Sequence, residues 1–300
     1  METTPTKPFA RTRAVLWRVA EDTFNDGFIH AGNLAYLSML AIFPFFVLGA
    51  ALFELIGGRA NAKAMILSVT GALPDSVAKV IVPVAESVVY AREGWLLWLG
   101  AGVGLWTVSS LIETIRAVLR RAYGTPAQGA FWRYRLGSIG LILGAVVLLM
   151  LSLFAQVLIG TAQEVIAAAF PQLAEAISAL SLSRLVPALG LALSLYILFA
   201  SLTPARFRRG RGGRVWPGAL FTTAWWIAVA AALPVVLRRF FTYDLTYGSL
   251  AGAVVTLLFF WLVGLGLVIG AELNAALALE GRDPDADEAP RPENPREETA

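Results

Sequence analysis

Six stretches of this 300-residue chain contain no Asp, Glu, Lys or Arg: 31–53, 95–112, 136–163, 185–205, 215–237 and 245–271. An α-helix rises 1.5 Å per residue, so about 20 apolar residues cross a hydrocarbon core. Five of the six stretches meet that length, and the second reaches it by running on to about residue 119 past Glu113 and Arg116. Those two residues, three apart, share a helix face and can pair. A helix satisfies every backbone group internally, which lipid requires. A barrel strand would instead show about ten residues of alternating polarity, and these stretches are continuously apolar. The expected fold is all-α, a polytopic membrane bundle of six transmembrane helices.

Composition agrees. Hydrophobic residues make up 57% of the chain and charged residues 15%, against about 25% charged in an average soluble domain. With no Cys and one His, His30, the chain lacks the ligands of a zinc hydrolase and the set for a Ser-His-Asp triad. No Gly-rich phosphate loop follows a strand-like run. No cofactor, no metal and no nucleic-acid partner are therefore expected, and the chain does not read as an enzyme. His30 reads as an interfacial side chain near a helix end.

The connections divide by charge. Fourteen Lys and Arg fall in the N-terminal segment, the 116–135 loop and the 206–214 loop; seven fall in the loops of the other side. The basic excess marks the cytoplasmic face, so both termini are expected there, and six spans allow it. Residues 1–27 form a cytoplasmic N-terminal segment without a cleavable leader, 28–279 the membrane domain and 280–300 an acidic, Pro-rich, disordered cytoplasmic tail. Two periplasmic segments, 60–90 with breaks at Pro74 and Pro83 and 164–183 with a break at Pro171, read as amphipathic helices at the interface. A re-entrant segment within 64–90 is the alternative.

Within the spans, Gly140–Gly144, Gly248–Gly252 and Gly266–Gly270 are small-residue pairs, and Gly100, Gly102 and Gly104 add another small patch. They read as intramolecular packing. Pro44 should kink the first span. Polar residues at membrane depth are Asn33, Glu113, Arg116, Gln156, Glu272 and Asn274. An acid facing lipid costs about 2.5–3.5 kcal/mol on insertion scales, which favours a partner or a wet cavity. Asn33, Glu113, Arg116, Glu272 and Asn274 fall near the cytoplasmic ends of three spans. A cluster is expected there, with both acids facing inward and Asn33 approaching at least one of them. The competing reading pairs Glu113 with Arg116 locally and hydrates Glu272 near the headgroups.

Several motifs carry a family resemblance. The last span opens with Thr246-Tyr247-Gly248-Ser249-Leu250 and ends with Gly270-Ala271-Glu272-Leu273-Asn274-Ala275. The first reads Ala31-Gly32-Asn33-Leu34-Ala35-Tyr36, then Phe43-Pro44, and the fifth opens with Trp216-Pro217-Gly218-Ala219. Over about residues 20–280 the chain resembles the YihY/BrkB family of bacterial inner-membrane proteins. The resemblance implies a multi-pass protein of the bacterial inner membrane with no settled molecular activity, in a family once labelled a tRNA-processing ribonuclease and with one member associated with serum resistance. It marks Pro44, Pro217, Gly218, Tyr247, Gly248 and Gly270 as packing positions. The single His argues against the ribonuclease label.

Two functions stay open on these residues. One is a transporter or permease of a small solute, ion or lipid; the other is a non-transporting envelope or scaffold protein. A cavity joining Asn33, Glu113 and Glu272 would favour the first, and their dispersal the second. Apart from the lipid bilayer and an unknown solute, ion or lipid, no partner is legible. An intramembrane enzyme lacks a recognisable site.

Overall fold

The computed structural model describes residues 8–56, 66–67, 70–71, 73–91, 95–126, 132–145, 182–208, 215–240 and 250–280. Among them the regular structure is entirely helical. Helix α1 (Pro8–Asp22) runs through a π-helical turn (Thr23–Gly27) into α2 (Phe28–Ile56). Next come α3 (Asp75–Ala91), α4 (Trp95–Ala122) and α5 (132–145). Then follow α6 (Leu182–Leu202), the one-turn α7 (Ala205–Arg208), α8 (Trp216–Phe240) and α9 (Ala251–Glu280).

Four helical stretches are long and apolar enough to cross a membrane: Thr12–Ala51, Trp98–Ala122, Trp216–Leu237 and Ala251–Leu279. The apolar part of α6, Ala188–Leu202, is shorter. Large apolar side chains such as Trp98, Val103, Leu189, Leu193 and Val235 lie on the outer surface. Large apolar side chains exposed in such number mark a surface made for an apolar solvent. Much of the third expected span, the whole 241–249 segment with Tyr247 and Gly248, Gln156, and the acidic tail beyond Glu280 lie outside the described residues.

Helix α9 is the hub and packs against α1, α2, α3, α4 and α8. At one end of the bundle Phe46, Val47, Val77, Ile81 and Phe259 form the core; at the other, Leu119, Phe199, Leu267, Ala271 and Ala275. Pro44 lies inside α2 and is accommodated by Gly104 of α4. A Cβ on Gly104 would stand 2.8 Å from the Pro44 carbonyl oxygen, so only glycine permits this crossing.

Helix α3 corrects one expectation. No break occurs at Pro83, and the helix continues through it. Val77, Ile81 and Ala85 form its buried stripe, whereas Pro83 lies on the exposed face, where the carbonyl it leaves unpaired can be met from outside the protein. Helix α4 does continue past Glu113 and Arg116. It ends in a Schellman turn: Gly124 has φ 59°, its N–H donates to Arg121 O, and the Thr125 N–H donates to Arg120 O. This turn places Arg120 and Arg121 in the last helical turn, where the helix dipole favours cations.

Candidate functional site

Among the described residues, the polar residues of the spans fall into four separate places. On α4, Arg116 Nη1 donates to Glu113 Oε1 at 2.7 Å and to Tyr134 O at 3.3 Å, and the Ser138 hydroxyl donates to the same Glu113 oxygen. Glu113 and Arg116 thus form a local pair sealed by α5. Glu272, on α9, is instead within electrostatic reach of Arg18, Asp22, Asp26 and Arg121. Those charges are already arranged as Arg18–Asp22, at 3.6 Å, and Arg121–Asp26. They belong to α1, the π-helical turn and the end of α4.

Asn33 departs from expectation: it is exposed on α2, and among the described residues no hydrogen bond joins it to either acid. The reason is helical phase. Ala31, Leu34 and Ala35 form the buried stripe of this part of α2, and position 33 projects from the far side.

Asn274 is fully buried and joins two helices. Its Oδ1 accepts from the Gly218 N–H at 2.8 Å, and its Nδ2 donates to Val215 O at 3.0 Å. It thereby caps the start of α8 from α9. Farther along this seam Thr222 Oγ1 donates to Gly266 O, Trp225 Nε1 to Leu262 O and Trp226 Nε1 to Val263 O. Gly218, Gly266 and Gly270 all lie where a Cβ would strike the opposite helix. The Gly266–Gly270 pair is therefore intramolecular packing. A Cβ added at Gly140 or Gly144 would meet no other part of the protein within 4 Å among the described residues.

Two cavities complete the picture. One, of about 510 Å³, is bounded by Leu34 and Phe45 of α2, Leu111 of α4, Leu198 of α6, Trp226 of α8 and Phe259 of α9. The other, of about 490 Å³, lies at the ends of α4, α5 and α6 and is lined by Arg116, Arg120, Arg133, Tyr134, Thr203 and Arg206 among others. The sequence offered these arginines only as a topology signal, because their convergence depends on the α4 Schellman turn and the α6–α7 bend. Tyr123 packs on Phe207 below this cavity, at 4.9 Å between ring centroids. Burial pushes its phenol up from the ordinary value, opposed by the neighbouring Thr203 hydroxyl.

Arg135 was also not legible as a site residue. It is 4% exposed, lies 3.8 Å over the Trp106 ring, and donates to Trp106 O and to Ser110 Oγ. Among the described residues no group of three or more His, Cys, Asp or Glu is placed to hold a metal ion.

The sequence matches one family. The family model described as virulence factor BrkB matches residues 21–295. The chain belongs to the BrkB family. A BrkB-family relative, YfkH of Bacillus subtilis (strain 168), bears the name ribonuclease-like protein; it is 28% identical over 270 residues, covering 88% of this chain and 94% of YfkH. No solved structure matches the chain. The family match spans Pro44, the α8–α9 seam and both cavities.

The Glu113–Arg116 pair carries a modest stability prediction. Glu113→Gln removes one charge of a partly exposed pair but can still accept from Ser138. It should cost about 1 kcal/mol, read as a small fall in the melting temperature of the detergent-purified protein. An unfolded variant would contradict the local-pair assignment.

Proposed function

We propose that this BrkB-family chain is a six-span bacterial inner-membrane protein with both termini in the cytoplasm, and that it carries an anionic amphiphile of lipid class rather than a hydrophilic solute. In this reading residues 1–27 and 280–300 flank a membrane domain of 28–279, and α3 lies against the bundle near the periplasmic interface. The supporting observation is the relation of the two cavities. Leu191, Leu198 and Leu202 follow one face of α6; the first two line the apolar cavity and Leu202 lines the arginine cavity. Helix α4 likewise contributes Leu111 and Ile115 to one and Arg116 and Arg120 to the other. An apolar chamber succeeded by a cationic one suits a molecule with an apolar body and an anionic head. The dispersal of Asn33, Glu113 and Glu272 removes the polar path a small solute or ion would use and by itself favours the scaffold; the succession of the two cavities is what favours a lipid-class cargo.

The test is a flux comparison in sealed vesicles with and without the protein, using fluorescent anionic lipids alongside neutral lipids and small solutes. Faster movement of the anionic lipid alone is expected. Equal rates throughout would leave a scaffold role, which has its own support in the α8–α9 seam, where span polar groups such as Asn274 and Thr222 bond other helices.

Two further outcomes follow from this reading. Reporter fusions at Ala300 should report a cytoplasmic location and fusions near Ser181 a periplasmic one, from the fourteen-to-seven basic asymmetry; a periplasmic C-terminus would sink the six-span arrangement. Despite the name of YfkH, the purified protein should not cleave tRNA, because His30 stands alone as an imidazole in the sequence. Cleavage abolished by His30→Ala would overturn this.

A further inference from the structure

We propose that the arginine-lined cavity is a binding site for a phosphate-bearing anion, held chiefly by Arg120 and Arg133 and closed at its base by Thr203. The inference rests on the amphiphile reading above and assigns the head of that ligand a place.

Among the described residues, four arginines line the cavity, with no Lys, Asp or Glu. Glu113 neutralises Arg116 at 2.7 Å without itself lining the cavity. The guanidinium carbons of Arg116, Arg120 and Arg133 lie 5.2, 4.1 and 5.7 Å from the centroid of the single Tyr134 ring. With Arg116 already paired to Glu113, Arg120 and Arg133 remain as two cations on one ring that repel one another, and the ring repays only part of that cost. An anion received between them removes it.

The side-chain chemistry narrows the anion. A guanidinium seated over a ring keeps its N–H edge for a partner, and that edge matches the oxygens of phosphate two at a time. Lys would serve topology equally well, since the orientation rule counts charge and is indifferent to its convergence. Every basic residue after Lys79 is Arg, so the choice of Arg is general to the chain; the gathering of several around one concavity is what goes beyond topology.

Thr203 supplies an independent observation. It is 4% exposed and lines the cavity, and among the described residues its hydroxyl has no partner within hydrogen-bond geometry, the adjacent Tyr123 phenol included. A buried hydroxyl left unpaired costs about 1–3 kcal/mol. An anion oxygen at the cavity floor would meet it.

Phosphate chemistry can arrive as a lipid headgroup or as a free ion, and the experiment separates them. Full-length protein in detergent is titrated with inorganic phosphate by calorimetry at constant ionic strength. In a second arm, native mass spectrometry compares retention of phosphatidic acid with that of phosphatidylcholine. Wild type should bind in at least one arm. Binding of phosphatidic acid over phosphatidylcholine without binding of inorganic phosphate assigns a headgroup, and binding of inorganic phosphate assigns the free ion.

Arg120→Gln/Arg133→Gln should weaken that binding about tenfold or more, and Thr203→Val severalfold. Arg239→Gln, exposed at the far end of α8, should leave it unchanged. If the double variant is not monodisperse, Arg120→Lys keeps the charge, loses the fork and should still weaken binding. No binding by wild type, equal retention of the two lipids without phosphate binding, or variants that bind like wild type would each overturn the site. Binding without flux would end the carrier reading and leave the site; flux that survives the double variant, with no binding measured, would do the reverse.

Discussion

Gly218→Ala should remove most folded protein from the membrane, and it is expected to be among the most damaging single-methyl additions in the chain. The added Cβ would overlap the carbonyl oxygen of Gly270 and stand 2.6 Å from Asn274 Cγ. A flexible side-chain tip could yield, but a backbone carbonyl inside α9 cannot move without shifting the hub of the bundle. Overpacking costs about 1–3 kcal/mol where neighbours adjust, and more where they cannot. Here the same displacement also stretches the Gly218 N–H bond to Asn274, so about 3 kcal/mol or more is expected. Gly140→Ala is the control. It meets nothing within 4 Å among the described residues, and replacing a helical glycine by alanine should stabilise by about 1 kcal/mol or less. The measurement is the melting temperature of each variant in one detergent, with protein level in membranes beside it. Equal melting of the two variants would mean that α8 and α9 do not approach as described.

The pairing of these two glycines shows what the sequence could and could not convey. Gly140–Gly144 and Gly266–Gly270 have the same spacing in equally apolar surroundings. What separates them is the partner helix, which spacing within one segment cannot reveal. Helix existence was legible because it depends on run length: the windows beginning at residues 31, 95, 185, 215 and 245 all fall largely within helices that the structure describes. The extension of α4 past Glu113 was legible too, because an i,i+3 ion pair satisfies itself on one helix face.

The polar cluster was read from depth alone, and depth is only one of two coordinates. Glu113 and Glu272 lie toward the C-terminal ends of their helices, but rotation about each axis turns Glu113 to α5 and Glu272 to α1. Asn33 fails for the same reason, one hundred degrees per residue away from the stripe its neighbours bury. Arg120, Arg133 and Arg206 were counted correctly as charge and missed as a cavity, since their convergence needs a glycine turn, a second helix and a bend. Gly218 and Gly270 were marked by family resemblance, and the contact that requires them, a carbonyl of one span against the Cα of another, is visible only in three dimensions.

Asn274→Leu should be nearly as damaging as Gly218→Ala, by a different route. Helix α8 begins with Trp216 and Pro217, and Pro217 has no N–H to leave unpaired. Gly218 does, and as a first-turn residue it has no partner within its own helix. Asn274 meets that donor at 2.8 Å and also donates to Val215 O at 3.0 Å. Leucine is similar in volume, so little cavity opens, and the loss is confined to hydrogen bonding. Val215 O still accepts from the Ala219 N–H at 3.3 Å, so its share is small. The Gly218 N–H is left buried with nothing to bond, in a region where no water competes to rescue it, and that asymmetry sets the cost at about 2–3 kcal/mol. Asn274→Asp separates the two bonds. It keeps the acceptor for Gly218, now facing a helix N-terminus that favours negative charge, and sets a carboxylate against the Val215 carbonyl. It should fall between wild type and Asn274→Leu at neutral pH. Asn33→Leu, exposed on α2, should melt within about 0.5 kcal/mol of wild type, as is usual for substitutions away from packed or bonded positions. If Asn274→Leu instead melts with wild type while Asn33→Leu does not, the asparagine that matters to the bundle is the exposed one, and the cap on α8 is not what joins these spans.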